Sequence, residues 1–234
     1  MTVRRIFLVA ACLAAAGWNG QAFGQPPNGS RALQKSPDQR FEELLVQAQK
    51  DPAKTDWKAL RIAFAATSHY NPYGGWPEDL AKVKEKFEKD ELKPAETMLV
   101  KLMERERFMR LDGHAVAIAL YEKMGDSEKA RKHRAFLEGL SSALFVPGTG
   151  RSFEKPIEVL FIDEEYMFLA SLGLRMKQQG LTEHNGHRFD VLTTQAKGNQ
   201  PELEFYFNID LPWGAMQNSL GKVLDSVKKA GANQ

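Results

Sequence analysis

Apolar residues in the front part of the chain recur at intervals of three and four, a spacing typical of helices that bury one face. Phe41, Leu44, Leu45 and Ala48 form the first such stripe, and Asp51-Pro52 ends it. Later stripes predict a second helix that Asp56 caps, helices over residues 78–89 and 94–107, and two helices on either side of Gly125-Asp126. The front of the chain is therefore predicted to be helical.

The predicted helices are expected to pack on one another as hairpins. In the second helix, the residues expected to be buried are Trp57, Leu60, Ile62, Ala63 and Phe64. Turn signals near Asp51, Glu91 and Gly125 are roughly 35 to 40 residues apart, as a short array of helical repeats requires. Residues 120–130 resemble the turn region of a tetratricopeptide-type helix pair. We predict stacked helical hairpins over residues 38–146.

The periodicity changes after the loop at residues 147–152. Residues 157–162 are apolar and β-branched, which indicates a buried strand, and Asp163 is positioned to cap a short helix after it. Asn185-Gly186 is a strong signal for a two-residue hairpin turn, and it sets His184 opposite His187 and Glu183 opposite Arg188. With a final amphipathic helix at about 215–229, residues 147–234 are predicted to form a small antiparallel sheet with one inserted helix. The predicted class is α+β.

Alternation along residues 203–210 assigns the two faces of the last strand. We expect Leu203, Phe205, Phe207 and Ile209 to face the core. The intervening polar residues, which are expected to face away from it, are Glu204, Tyr206, Asn208 and Asp210. In the strand after the hairpin turn, Phe189 and Val191 alternate with Asp190.

The N-terminus has the pattern of a cleaved signal peptide. Arg4 and Arg5 precede an apolar run over residues 6–16, and Ala22-Phe23-Gly24 provides small residues for cleavage before Gln25. Residues 1–24 are therefore predicted to be removed, residues 25–37 to form a flexible arm, and the protein to be periplasmic or secreted. Lipid attachment at Cys12 is the alternative.

Cleavage would leave a mature chain without cysteine, since Cys12 is the only one, and would exclude thiol chemistry. The whole chain has 32 Lys and Arg against 30 Asp and Glu, and removing Arg4 and Arg5 leaves 30 against 30. A neutral chain argues against nucleic acid as a partner. We also expect no transmembrane segment in the mature chain, and the apolar run over residues 6–16 is itself too short to span a bilayer.

Two reactive arrangements have the right residue types but the wrong pattern. His184 and His187, with Glu183 or Asp190, offer metal-ligand types, but they lie at a hairpin tip and alternation turns Asp190 away from His187. No metal site and no cofactor are therefore predicted.

Ser152 with His114 or His133 and with Asp163 has the composition of a nucleophile and its base. However, residues 148–152 match neither the nucleophile elbow nor the phosphate loop. Glu164 and Glu165 diverge by about 100° on a helix, and favourable charge at its N-terminus explains both. We predict no catalytic residue.

A binding surface is the remaining hypothesis, either for another envelope protein or for a small ligand. The loop over residues 70–77 has three aromatic residues among its glycines and prolines. The residues proposed to bind are Tyr70, Tyr73, Trp76, Arg151, Ser152, Tyr206, Asn208 and Asp210. The alternative is a metal-independent hydrolase of envelope material that uses the Ser152 loop or the polar sheet face.

Five motifs, in this order, resemble an exported bacterial family known as domain of unknown function 4919. They are Tyr70-Asn71-Pro72-Tyr73, Gly125-Asp126, Gly148-Thr149-Gly150-Arg151-Ser152, Glu164-Glu165-Tyr166 and Tyr206-Phe207-Asn208-Ile209-Asp210. Thr149 stands where the resemblance leads us to expect an acidic residue. The resemblance covers nearly the whole mature chain but implies no established activity, so no catalytic residue is carried over.

Overall fold

Eight α-helices and four strands form the part of the chain that the structure, a computed structural model, describes: residues 35–196 and 201–231. The helices are α1 (Pro37–Lys50), α2 (Trp57–Ala65), α3 (Trp76–Glu88), α4 (Leu92–Arg105), α5 (Leu111–Lys123), α6 (Ser127–Leu144), α7 (Asp163–Ser171) and α8 (Asp210–Gly231). The strands are β1 (Ile157–Glu158), β2 (Met176–His184), β3 (His187–Thr194) and β4 (Glu204–Asn208). The α+β class is confirmed. The predicted signal peptide, residues 1–24, and residues 25–34 of the predicted arm lie outside the described residues.

Side-chain caps fix the start of three helices. The Ser36 hydroxyl accepts a hydrogen bond from the Gln39 amide at 3.2 Å, and the Gln39 side chain accepts one from the Ser36 amide, which completes a capping box at α1. Asp56 and Asp126 cap α2 and α6 by accepting hydrogen bonds from amides three residues later. The caps predicted at Asp56 and Asp126 are confirmed.

The helices bury two apolar clusters. One lies among α3, α4, α5 and α6 and includes Trp76, Leu99 and Leu120. The other lies between α1, α2, α6 and the sheet and includes Phe41, Phe64 and Phe207. The second cluster contains no side chain from the sheet's distal strand β2, so the helical and sheet-forming halves share a core through β1, β3 and β4.

The prediction for α2 was wrong at one position. Ile62 is 50% exposed, whereas Arg61 is only 4% exposed. The helix turns about 100° per residue, so Arg61 shares the buried face with Trp57 and Phe64, and Ile62 falls outside it. Hydrophobicity alone predicted that Ile62 rather than Arg61 is buried. Arg61 can be buried because a partner from the other half of the chain compensates its charge.

The close packing of α6 against α2 depends on Gly139. A Cβ atom at that position would lie 2.0 Å from the indole of Trp57, so no larger residue fits without displacing the ring. The Trp57 ring packs edge-on against Phe136 at a centroid distance of 5.1 Å. This contact joins the second helix of the helical half, α2, to its last helix, α6.

The sheet has the strand order β1-β4-β3-β2. The hairpin of β2 and β3 has the predicted register, with His184 opposite His187 and Glu183 opposite Arg188. β3 and β4 are also antiparallel, but β1 pairs with β4 in parallel, so the sheet is mixed rather than wholly antiparallel. The parallel pair is possible because α7, β2 and β3 lie between β1 and β4 in the chain and provide a long connection.

The first strand is shorter than predicted, and the predicted cap of the inserted helix was wrong. The Leu160 amide donates to the Glu164 carboxylate at 2.8 Å instead of to a neighbouring strand, and β1 ends at Glu158. Asp163 is the first residue of α7 and caps no amide, since its carboxylate contacts Arg110 at 3.1 Å. The contacts of Glu164 with Leu160 and of Asp163 with Arg110 thus replace the longer strand and the helix cap that the sequence predicts.

One face of the sheet packs on the helices, and we call it the inner face. As predicted, Phe205, Phe207 and Ile209 are buried there, and the β3 residues that pair beside them are Leu192 and Asp190. Paired residues lie on the same side of a sheet, so Asp190 points inward with the apolar residues. Within the described ranges, no helix is both long and apolar enough to cross a membrane.

Candidate functional site

The loop between α2 and α3 carries the three aromatic residues that the sequence predicts to bind, and it is fixed at both ends. The Tyr70 hydroxyl donates to the Leu160 carbonyl at 2.5 Å. The Trp76 indole donates to the Asp112 carboxylate at 2.9 Å, and its side chain is fully buried. Tyr73, midway between them, is 50% exposed. Of the three side chains, that of Tyr73 is the most exposed.

Tyr73 lies within electrostatic reach of two carboxyl groups, Glu165 of α7 and Asp190 of β3. Burial, and then the charges of Asp190 and Glu165, raise the pKa of the Tyr73 phenol. Tyr166, which is 41% exposed, follows Glu165 on α7 and donates to the Gln179 side chain at 2.6 Å. The Gln179 amide in turn donates to Asp190 at 2.8 Å. We call these five residues, Tyr73, Glu165, Tyr166, Gln179 and Asp190, the junction site.

Glu165 is the unusual member of the junction site. It is fully buried, and neither of its carboxyl oxygens receives a hydrogen bond from a described residue. Burial, and then the nearby charge of Asp190, raise its pKa to about 9. Two ionised carboxylates are both acceptors and repel each other, whereas a protonated Glu165 can donate to Asp190. The raised pKa therefore keeps the Glu165 carboxyl protonated at neutral pH.

The preceding residue, Glu164, points to a different partner. The Arg61 guanidinium donates to both of its carboxylate oxygens, at 2.6 and 2.9 Å, and both side chains are buried. This bidentate pair is balanced in charge and joins α2 to α7. Adjacent glutamates that the sequence assigns to the helix N-terminus thus have separate roles: Glu164 is neutralised by a cation, and Glu165 is neutralised by a proton.

On the outer face of the sheet, the ring of Phe153 packs against one of the predicted binding residues, Tyr206. This ring lies 4.6 Å from the Tyr206 ring and stacks on His184 at 4.5 Å. The Tyr206 amide donates to the Gly150 carbonyl at 3.0 Å, which brings the loop of Arg151 beside β4. The Arg151 guanidinium lies 4.8 Å above the ring of Phe205. The loop and the last strand are therefore adjacent, but the face between them is covered by an aromatic ring.

Asp210 lies at the start of α8 and not on the open outer face. It accepts hydrogen bonds from the Arg188 amide at 2.8 Å and from Asn208 at 3.3 Å, and it contacts His187 at 2.6 Å. Burial alone would raise the pKa of Asp210, but these hydrogen bonds hold it below its ordinary value. The bond from the Arg188 amide has the largest lowering effect. Asp210 and Tyr70 also line a polar cavity of about 400 Å³ between α2 and α8. The structure thus joins these two predicted residues across the halves.

The residues of the alternative hydrolase have separate partners. The Ser152 hydroxyl hydrogen-bonds to Glu154 in the same loop, and this bond is the main reason that the pKa of Glu154 is lowered. His114 and His133 contact each other at 3.0 Å on α5 and α6, and Asp163 pairs with Arg110. No hydrogen bond between described residues links Ser152 to these three side chains. Nor do three or more His, Cys, Asp or Glu residues of the described part form a group suited to a metal ion.

Comparison with known proteins supports one assignment. A family model described as a domain of unknown function, DUF4919, matches residues 38–216, which is well over half of the chain. The chain belongs to this family. The resemblance of the sequence motifs is therefore confirmed. Neither the curated proteins nor the solved structures include a match.

The DUF4919 region contains the whole junction site, because it extends from α1 into α8. Of the junction site, the sequence predicted only Tyr73 as a binding residue. It missed Glu165, Tyr166, Gln179 and the inward direction of Asp190. The available signal was the alternation of β3, in which Asp190 shares its phase with Leu192 rather than with Phe189. A carboxylate in phase with apolar core residues is a sign of a functional or paired group.

Proposed function

We propose that this member of the DUF4919 family is an exported, non-enzymatic binding protein of the cell envelope, and that the junction site holds a ligand with an ammonium group. The observation that carries the proposal is the buried carboxyl of Glu165, which lacks a donor among the described residues and faces Asp190. Buried polar groups are normally hydrogen-bonded, and an exception calls for an explanation by function or by a bound group.

An ammonium group matches what the junction site offers. It has three N–H donors and one positive charge, whereas the two carboxyl groups offer acceptor oxygens and one negative charge. The half-exposed rings of Tyr73 and Tyr166 provide aromatic faces at which a cation is stabilised. A neutral alcohol of the same length would supply one donor and no charge, so the site should favour the ammonium compound.

Export is supported by the pattern of residues 1–24, with its two arginines, its apolar run and its small residues before Gln25. We expect protein recovered from fractionated cells to be in the envelope or the medium. Mass spectrometry of its N-terminus should give a chain that begins at Gln25. A chain that keeps Met1 in the cytoplasm would contradict export, and an acylated Cys12 would replace secretion by lipid anchoring.

Ligand binding can be measured by NMR titration of the purified protein with n-butylammonium chloride and, separately, with n-butanol. We expect shifts of the amide signals around Glu165 and Asp190 with the ammonium compound. Asp190→Asn removes the negative charge and should weaken binding by roughly tenfold or more, because a charge-assisted hydrogen bond contributes about 1.5–3 kcal/mol. Tyr73→Ala should weaken it to a smaller extent and, unlike a change at the buried Trp76, should leave the fold intact.

Glu204→Gln is the matched control, because it removes an exposed carboxylate from the outer face of β4. Its affinity for n-butylammonium should equal that of the wild type. Equal affinities for the alcohol and the ammonium compound, or an Asp190→Asn variant that binds as well as the wild type, would reject the ammonium ligand. They would leave the export experiment unaffected.

A second candidate is a metal-independent hydrolase of envelope material, and one observation favours it. Glu165, whose pKa is raised to about 9, lies near a second carboxyl group, Asp190, and acid–base catalysis often uses such neighbouring carboxyl groups. The test is whether the purified protein releases soluble products from envelope polysaccharide or peptide. If it does, and if Glu165→Gln and Asp190→Asn each abolish the release, the protein is a hydrolase rather than a binding protein. Ser152→Ala separates this mechanism from one that uses the Ser152 loop.

A further inference from the structure

A separate cavity of about 310 Å³ opens between the end of α1 and helices α5 and α6. We call it the His133 pocket, and its lining residues are Gln49, Pro52, Phe108, His114, Lys132, His133 and Phe136. Most of the wall is apolar or aromatic, and the ring of His114 stacks on Phe136 at 5.2 Å. A concave site with aromatic walls and few polar groups is typical of small-molecule binding.

The backbone at the wall of the His133 pocket is strained. Arg107 and Phe108 follow α4 with φ angles of 53° and 61°, in the left-handed region that residues with a Cβ atom seldom adopt. This conformation directs the Phe108 carbonyl to His114 Nε2, at a distance of 2.9 Å. Such strain persists where the surrounding structure enforces it, and it is concentrated at functional sites.

The hydrogen bonds of His114 fix the position of its proton. A carbonyl oxygen only accepts, so His114 Nε2 must carry the hydrogen that it donates to Phe108. A neutral imidazole has one protonated nitrogen, so His114 Nδ1 bears a lone pair. The proton between the two Nδ1 atoms, which are 3.0 Å apart, must then come from His133.

The same reasoning leaves His133 with an unused acceptor. Because its Nδ1 carries the hydrogen donated to His114, its Nε2 bears a lone pair. No described residue donates a hydrogen bond to this atom, and His133 is only half-buried. The pocket therefore contains one imidazole nitrogen that can accept a hydrogen bond from a ligand.

Both imidazoles stay neutral over the physiological pH range. Burial lowers the pKa of His114 to about 3 and, together with the charge of Lys129, lowers that of His133 to about 4. The other groups that face His133 are the ring of Tyr121, stacked at 5.6 Å, and Lys132 on the pocket rim, which pairs with Glu128. No described acidic group contacts either imidazole, so neither is stabilised as an imidazolium.

We propose that the His133 pocket binds a small aromatic compound with an O–H or N–H donor, whose ring packs against Phe108 and Phe136 and whose donor bonds to His133 Nε2. Phenol has this chemistry, and anisole has the same ring and nearly the same shape without the donor. The proposal does not depend on the junction site, because it uses other helices and other groups.

NMR titration with phenol and with anisole tests the proposal. Phenol should shift the signals of Phe108, His133 and Phe136. Anisole should bind roughly tenfold more weakly, because it lacks the donor for one hydrogen bond. In His133→Asn, the side-chain amide can still donate to His114 from the position of Nδ1, but nothing remains at the position of Nε2. This variant should bind phenol and anisole equally.

The tautomers can be observed directly by ¹⁵N NMR of the histidine side chains. We expect a hydrogen on Nε2 of His114 and on Nδ1 of His133, and no protonation of either ring between pH 5 and pH 8. Lys132→Gln, a change on the rim of the same pocket, should retain the preference for phenol. Equal affinities of the wild type for the two compounds, binding of neither compound, or an Nε2–H tautomer of His133 would each overturn the proposal.

Discussion

Replacing Arg61 with methionine should lower the free energy of unfolding by about 3–5 kcal/mol, because Glu164 would then be left charged and unpaired in the core. Both side chains are buried, and the guanidinium also donates to the Glu158 carbonyl at 3.2 Å. Methionine keeps the apolar part of the side chain, so the loss measures the charge rather than the volume. Urea unfolding at pH 7 with linear extrapolation gives the value.

Arg134→Met is the control for this result, because Arg134 forms an exposed ion pair with Glu122. Exposed pairs contribute less than about 1 kcal/mol. In the double variant Arg61→Met/Glu164→Gln, a neutral side chain can still accept the hydrogen bond from the Leu160 amide, and part of the lost stability should return. A change below about 1 kcal/mol for Arg61→Met would show that the pair does not hold the two halves together.

Replacing Glu165 with glutamine should make the protein more stable than the wild type at pH 8 and nearly equal to it at pH 5. Burial and the proximity of Asp190 raise the pKa of Glu165 from 4.5 to about 9. The unfolded chain ionises this group above about pH 4.5, whereas the folded protein does so only near pH 9. The stability that the neutral carboxyl provides is therefore complete below about pH 4.5 and is lost as the pH rises toward 9.

The expected difference at pH 8 is on the order of 2–4 kcal/mol, since each pH unit between the two pKa values corresponds to about 1.36 kcal/mol. Glutamine does not ionise and has nearly the same size and shape as the protonated acid. Urea unfolding of both proteins between pH 5 and pH 8 measures the effect. Glu183→Gln, in an exposed pair with Arg188, should follow the wild type at each pH. A stability difference that does not grow with pH would mean that Glu165 is ionised in the folded protein.

The pH dependence on the acid side has the opposite sign and a different origin. Burial lowers the pKa of His114 from 6.5 to about 3. As the pH falls, the unfolded chain therefore binds a proton near pH 6.5, whereas the folded protein binds it only near pH 3. Stability from this group is complete above about pH 6.5 and is lost as the pH falls toward 3. The comparison of Glu165→Gln with the wild type cancels this contribution, because both proteins contain His114.

Several features of the fold follow from residues close together in the chain. The caps at Asp56 and Asp126, the Asn185-Gly186 turn and the inward side chains of Phe205 and Phe207 were all predicted correctly. Each depends on backbone geometry and side chains within a few positions, so a short sequence window contains the cause. The family motifs, which are also local, led to the right family.

The sites were harder to predict, because their members come from separate elements. Arg61 and Glu164 are 103 positions apart, and nothing near either residue indicates the other. The Tyr73 loop was correctly noted as aromatic, but the structure buries Trp76 and leaves Tyr73 exposed. From the sequence, His133 was considered a possible base for Ser152, and its contact with His114 depends on how α5 packs against α6.

By itself, the sequence determined the helical front, the hairpin, the alternation of the last strand and the membership of the family. Only the tertiary structure decided how each ionisable group in the core is neutralised. Arg61 neutralises Glu164, burial keeps Glu165 protonated, and burial keeps the two histidines uncharged. The reason is physical, since local structure depends on neighbours in the chain, whereas the ionisation of a group depends on the charges and solvent that surround it in space.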